Sequence, residues 1–388
     1  MNSSTPKKAL MLASVASMID QFNMPNIELL LSLGYDVDVV ADFHNPGNIT
    51  LERAEKLKTR LNDMGVRVIH IAIPRTLNPK SIISAYKAVK NLIRSEDYNL
   101  MHCHSPIGSA IARIAAKESR KLGMRIIYTA HGFHFYNGAP AINWLIYYPI
   151  EKLLSRNTDI LITINQEDFQ RATEKFHAKQ TLYIPGVGVD TEKFSSCRTE
   201  ISSKRKSIGV PTDAFMLMSV GELNDNKNHA VVIKAMGQLK NESVHYVVVG
   251  KGDNFESLID LADSFGIGSQ VHLLGYRNDV PELYYAADVC VFPSIREGLG
   301  IAAIEGMAAG LPCLVAENRG TKDLFSSENA IICRFDDVRT FSEGILTLMQ
   351  DETMRHNMGE RNRIKSREFD ISVIQRTMKE VYQNVTKQ

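Results

Sequence analysis

The chain is expected to be an α/β protein built from two doubly wound parallel-sheet units. Strand-like and helix-like segments alternate along it. The alternation restarts in mid-chain after Pro185-Gly-Val-Gly-Val-Asp190, a Gly/Pro segment without periodic pattern. A length of 388 residues suits two or three domains of ordinary size. The expected domains are 1–188 and 189–365, both Rossmann-like and facing a cleft, with 366–388 a C-terminal helix placed to pack back on the first.

In the first unit the apolar runs predict strands over Ala9–Ser14, Tyr35–Ala41, Val66–Ala72, Asn99–His102, Arg125–Thr129 and Asp159–Ile164. Helices are expected between them, among them Pro79–Arg94, Ile107–Leu122 and Ala141–Leu154. The second unit carries strand runs at Phe215–Gly221, Val244–Gly250, Gln270–Gly275, Asp288–Phe292, Pro312–Ala316 and Ala330–Cys333. A charged helical stretch, Val338–Gln388, follows. Open α/β sheets bind ligands beyond the carboxyl ends of their strands. The loops after Ser14, Thr129, Gly221, Gly275 and Phe292 are therefore the ones to inspect.

Composition sets outer bounds. Hydrophobic residues at 44% and charged residues at 23% fit a folded globular protein. A net charge of +1 gives no support for nucleic-acid binding by bulk electrostatics. Five scattered cysteines without a CxxC pair read as reduced core residues, which favours a cytoplasmic protein and argues against structural zinc. Lys7-Lys8 precedes too short an apolar stretch for a signal peptide, so this is the first strand. No apolar run approaches the roughly 18 residues of a membrane span, so membrane contact is expected to be peripheral.

The most informative segment is Ser294-Ile-Arg-Glu297-Gly298-Leu299-Gly300, followed by a helix expected from Gly300 to about Ala309. A Gly-rich bend leading into a helix offers N–H groups to a phosphate. At 100° per residue, Ile301, Ile304 and Ala308 form the buried stripe, and Glu305 lies about 40° from Ile301. A carboxylate at that border needs a partner. Two glutamates flanking such a bend point to a ligand site.

Gly221-Glu222-Leu-Asn-Asp-Asn-Lys227-Asn228 also joins a strand to a helix, with Asn228 as the expected N-cap. Lys227 beside a helix start suits a diphosphate, although a lone loop lysine is usually only solvated. Gly250-Lys-Gly252 lacks the third glycine of a dinucleotide fingerprint and reads as a tight turn admitting a ligand or a neighbouring loop. His131 ends a strand, either packed or free to meet a sugar hydroxyl or phosphate. His102 and His104 share a strand face, but no third metal ligand accompanies them at sensible spacing.

Taken together, Glu297-x7-Glu305 after an apolar strand, the Gly221…Lys227 loop and Thr129-Ala-His131 resemble glycosyltransferase family 4, retaining enzymes of the GT-B fold. Longer stretches, Ala13–Asp20, Tyr128–Tyr136 and Tyr147–Lys152, look like the branch that builds bacterial capsule and exopolysaccharide units. The resemblance implies an N-terminal acceptor domain and a C-terminal domain for a nucleoside diphosphate sugar, UDP-linked in expectation. It gives Glu297 hydroxyls of the donor sugar and Glu305 those of the ribose. Gly298, Leu299 and Gly300 bring N–H groups toward sugar and phosphate, and Lys227 meets the diphosphate. His131 lies near the donor sugar, and the Tyr276–Arg277 backbone meets the nucleobase.

Two departures stand out. Glu222 occupies a position where the family generally has Arg, so Lys227 and the helix start act alone, or Arg296 contributes, or Glu222 orients Lys227 or meets the sugar. The first loop reads Ser14-Val-Ala-Ser17 where many relatives have a Gly pair.

The expected reaction transfers a hexose or N-acetylhexosamine to a hydroxyl of a lipid-linked (polyprenyl diphosphate) saccharide. No cofactor and no metal are expected, with Glu297, His131 and Lys227 as the catalytic set. Phe133, Phe135, Tyr136, Trp144, Tyr147 and Tyr148, beside the basic stretch Lys117–Arg125, either lie on the inner membrane face or form core with solvated charges. The alternatives are a nucleoside diphosphate sugar 2-epimerase, which fits the paired glutamates less well, and a non-catalytic nucleotide-sugar-binding subunit.

Overall fold

The computed structural model describes residues 7–385. The chain divides into two compact units, 1–187 with 374–388, and 188–373. The outermost residues of the expected domains, 1–6 and 386–388, lie outside the described residues.

The first unit holds β1 (Lys7–Val15), β2 (Tyr35–Asp42), β3 (Arg67–His70), β4 (Tyr98–His104), β5 (Arg125–Ala130), β6 (Ile160–Thr163) and β7 (Gln180–Tyr183). Their order across the sheet is β3-β2-β1-β4-β5-β6-β7, and each neighbouring pair is parallel. The second unit holds β8 (Phe215–Val220), β9 (Val244–Val249), β10 (Val271–Leu273), β11 (Val289–Phe292), β12 (Cys313–Ala316) and β13 (Ala330–Cys333). These run β10-β9-β8-β11-β12-β13, again parallel. Each order reverses once, between β1 and β4 and between β8 and β11. Ligands bind at such reversals in doubly wound sheets.

Strand residues alternate between two covered faces. Ala9, Met11 and Ala13 of β1 join one apolar cluster, while Leu10 and Leu12 join the other. This is why the strands read as continuous apolar runs.

Several expectations need correction. β7 lies outside the expected strands; Gln180 is exposed and the other three residues are only partly buried, as for an edge strand, so it carries no apolar run. The expected helix Ile107–Leu122 is two, Pro106–Ala115 and Lys117–Lys121, parted at Ala116. No loop follows Ser14, because β1 runs to Val15 and a helix starts at Ala16. The last helix is Ile371–Val385, and the chain returns to the first unit inside it, at 373/374 rather than 366. Its Ile374, Met378, Val381, Tyr382 and Val385 are buried in the β1 cluster.

The aromatic segment is core. Phe133 and Phe135 are buried, and Trp144, Tyr147 and Tyr148 pack against them. Arg120 and Arg125 of the basic stretch pair with Asp159.

Removing 374–388 should prevent the first unit from folding. Five buried side chains worth about 1.5–3 kcal/mol each would rival the whole stability of a domain, about 5–15 kcal/mol. Circular dichroism and thermal melts of the truncated chain check this; an unchanged first transition would contradict it.

Candidate active site

The second unit gathers most of the singled-out residues at the carboxyl edge of its sheet, where strand order reverses. Two loops leave this point, one after β8 and one after β11. Hydrogen bonds lace them together: Ile295 N–H donates to Asn226 O at 2.8 Å, and the side-chain Asn226 Nδ2 to Arg296 O at 3.0 Å. Lys227 Nζ donates to Glu297 Oε1 at 2.6 Å, and both side chains are largely buried. The stem of Lys227 lies against Gly221, where a Cβ would come within 3.2 Å of Lys227 Cδ.

Glycines permit this closeness. A Cβ on Gly250 would fall 1.8 Å from Gly221 O, and one on Gly252 would fall 2.3 Å from Leu223 O. The Gly250-Lys-Gly252 turn therefore admits the neighbouring loop. Gly300 sits at φ +91° directly before the helix Ile301–Ala308, a conformation that L side chains rarely adopt. Tyr284 OH donates to Ala302 O at 2.8 Å and fixes the first turn of that helix.

The buried stripe of this helix is Ala303, Ile304, Met307 and Ala308; Ile301 is only partly covered. Glu305 is half-buried and lines a cavity of about 390 Å³ with Lys193, Gly221, Gly250, Tyr276 and Arg277. Burial pushes its carboxyl up to about 7, opposed by the charge of Lys193. Arg277 is held by Asp279 through bonds of 2.8 and 2.6 Å, while the Tyr276 ring stays 63% exposed. Glu222 is exposed, and the ammonium of Lys227 goes to Glu297.

Asn228 does not cap its helix. It adopts the left-handed conformation, φ 55°, and its amide donates to Pro293 O and Phe335 O. Its bonds hold the β11 loop instead.

Some contributors escaped the sequence reading. Arg319 Nε donates to Glu297 O at 3.2 Å, and Asn318 Nδ2 donates to Ser294 O at 2.9 Å. The capping box of Asn318 with Thr321, just past β12, is the signal that marks this third edge loop. Lys193 carried no local cue.

His131 lies in the first unit, after β5. Its Nε2 is 3.0 Å from Nδ1 of His104, and burial pushes its imidazole down to about 4. His102 is occupied at both nitrogens, by Tyr382 OH at 2.7 Å and Thr129 Oγ1 at 2.8 Å. The strand-face pair is thus part of a hydrogen-bonded core.

Glu305 makes a pH prediction. Its folded value near 7 exceeds the ordinary 4.5, so the native state holds the extra proton between these values. Stability is lost as pH rises through that window. Glu305→Gln should therefore match wild type in melting temperature near pH 4.5 and exceed it by a few degrees at pH 8. A difference independent of pH would contradict the assignment.

Comparison with known proteins is consistent with this layout. The model for "Glycosyl transferases group 1" matches residues 200–365, and that for "Glycosyl transferase 4-like" matches residues 8–165. EpsD of Bacillus subtilis (strain 168), a candidate glycosyltransferase, is 34% identical over 381 residues, covering 97% of this chain and 96% of its own. An Escherichia coli UDP-Gal:alpha-D-GlcNAc-diphosphoundecaprenol alpha-1,3-galactosyltransferase is 27% identical over 353 residues, 88% of this chain and 87% of its own. The crystal structure of Anabaena HepE with UDP and glucose superposes with a TM-score of 0.77 at 19% identity, covering 97% of this chain and 99% of that one. The chain belongs to glycosyltransferase family 4 and has the GT-B fold.

Proposed function

We propose that this chain transfers a hexose or N-acetylhexosamine, with retention at the anomeric carbon, from a UDP-linked donor. The acceptor is a hydroxyl of a saccharide carried on polyprenyl diphosphate, in cell-surface polysaccharide synthesis. The observation that carries this reading is the Lys227–Glu297 pair beside the cavity that Glu305, Tyr276 and Arg277 line. The Escherichia coli relative, by its name, uses UDP-Gal and a diphosphoundecaprenol-linked acceptor.

In the ligand-free protein each charge of the pair neutralises the other. An arriving diphosphate competes for the ammonium, and Glu297 is then released to accept sugar hydroxyls. Gly298, Leu299 and Gly300 lead into a helix start, whose N–H groups face negative charge. Glu305, once ionised, accepts both ribose hydroxyls. The Tyr276–Arg277 backbone flanks the base. His131 serves a sugar hydroxyl or phosphate.

As the anomeric C–O bond breaks, its electron pair leaves with the diphosphate. Lys227 and the helix start stabilise that charge without requiring a metal. The acceptor oxygen bonds to the same face, and its proton passes to a phosphate oxygen of the leaving group. Glu297 acts by positioning.

The partner surface is also specific. Helix Ala141–Leu154 exposes Ile142, Leu145, Pro149 and Leu153 at helical spacing, on the side away from its aromatics. Exposure reaches 73% at Leu145 and 62% at Leu153. Arg156, just past this helix, is exposed, and Lys152 within it is partly so. An apolar stripe with cations at one end fits an anionic bilayer, where the acceptor would reside. Among the described residues no helix is long and apolar enough to cross a membrane.

Two experiments test these readings. With UDP-sugars and a lipid-linked acceptor, UDP release should persist in EDTA and fall at least about tenfold in Lys227→Ala; donor alone should return unisomerised. Unchanged turnover in the variant, or isomerised sugar, would overturn the reading. Separately, the chain should sediment with acidic vesicles, and the double variant Leu145→Glu/Leu153→Glu should remain in the supernatant. Equal sedimentation of both would remove the membrane surface.

A further inference from the structure

We propose that His104 is a positioning residue that donates its Nδ1–H to Nε2 of His131, holding His131 as the tautomer with Nδ1–H free to meet a ligand. The proposal rests on the reading of His131 as a group that serves a sugar hydroxyl or phosphate.

The two rings meet at 3.0 Å between His104 Nδ1 and His131 Nε2. One nitrogen donates and the other accepts, so the pair has two neutral arrangements. The surroundings of His104 choose between them. Its residue is 1% exposed, and its other nitrogen, Nε2, is buried with no protein partner. Were His131 the donor, His104 would carry its own proton on Nε2, burying an N–H against no acceptor. Such orphaned donors are rarer and costlier than a buried lone pair. With the proton on Nδ1, the lone pair occupies the buried position instead.

Charge offers no third arrangement. His102 lies under His104 with ring centroids 4.2 Å apart, and its nitrogens are held by Tyr382 and Thr129. Buried imidazoles this close do not accommodate an imidazolium among them, and burial lowers the basicity of all three.

The consequence falls on Nδ1 of His131. The residue is only partly buried and borders a cavity of about 310 Å³ with Ser14, Ser105 and Tyr128. With Nε2 occupied by His104, Nδ1 can only donate. It therefore suits a hydroxyl or phosphate oxygen and cannot serve as a general base. Of the two histidines that share a strand face, His104 sets this proton position and His102 packs against it.

Imidazole ¹⁵N–¹H correlation spectra of the full chain test this, with His131 assigned through the His131→Gln difference. The expected spectrum shows Nδ1 protonated and Nε2 bare in His131. His104→Leu should mix the two forms and lower kcat/KM about tenfold, the scale of one hydrogen bond at a reacting group. His104→Asn, whose amide nitrogen lies near the place of Nδ1, should restore most of both. A wild-type spectrum with His131 protonated on Nε2 would overturn the proposal, as would wild-type kcat/KM in a folded His104→Leu. Failure of the underlying reading looks different: His131→Gln would keep full activity while the wild-type spectrum still showed the Nδ1–H form.

Discussion

A single ion pair organises the second unit. Lys227 Nζ and Glu297 Oε1 meet at 2.6 Å where the strand order reverses, so the loops after β8 and β11 are joined by charge as well as by hydrogen bonds. A partly buried pair stays favourable only if both members keep partners. This makes the pair responsive: an incoming diphosphate can take the ammonium only while something else satisfies the carboxylate. Under the proposed function a sugar with several hydroxyls would do so, and donor diphosphate and donor sugar would be recognised together.

The rest of that unit serves the pair. Gly221, Gly250 and Gly252 let three loops approach at distances a side chain would forbid. Tyr284 fixes the turn that follows Gly300, and Asn318 and Arg319 hold the bend from the other side. Glu305 stands apart. Its half-buried carboxyl, raised by desolvation, lowers stability at high pH. In the first unit, His102 links Tyr382 to Thr129, and His104 meets His131.

Much of the fold was legible because buried parallel strands are continuous apolar runs, as in Val244–Val249 and Cys313–Ala316. β7 was not, since an edge strand such as Gln180–Tyr183 shows no such run. Glu297, Glu305 and Lys227 could be found because each follows a strand end and precedes or enters a helix. Lys193 is brought in by tertiary folding and carries no local mark, whereas Arg319 is marked only indirectly, by the Asn318 capping box beside it. The aromatic segment left two readings open, membrane face or core: Phe133 and Phe135 are buried, and the aliphatic Ile142, Leu145 and Leu153 just after them are the exposed ones. Composition names residue types, and only helical spacing assigns their side.

A crystal structure of the chain with UDP tests the central claim most directly. The account predicts Lys227 Nζ transferred from Glu297 to a phosphate oxygen, with the Glu305 carboxylate accepting both ribose hydroxyls. Nucleotide bound elsewhere, with the Lys227–Glu297 contact intact, would contradict it.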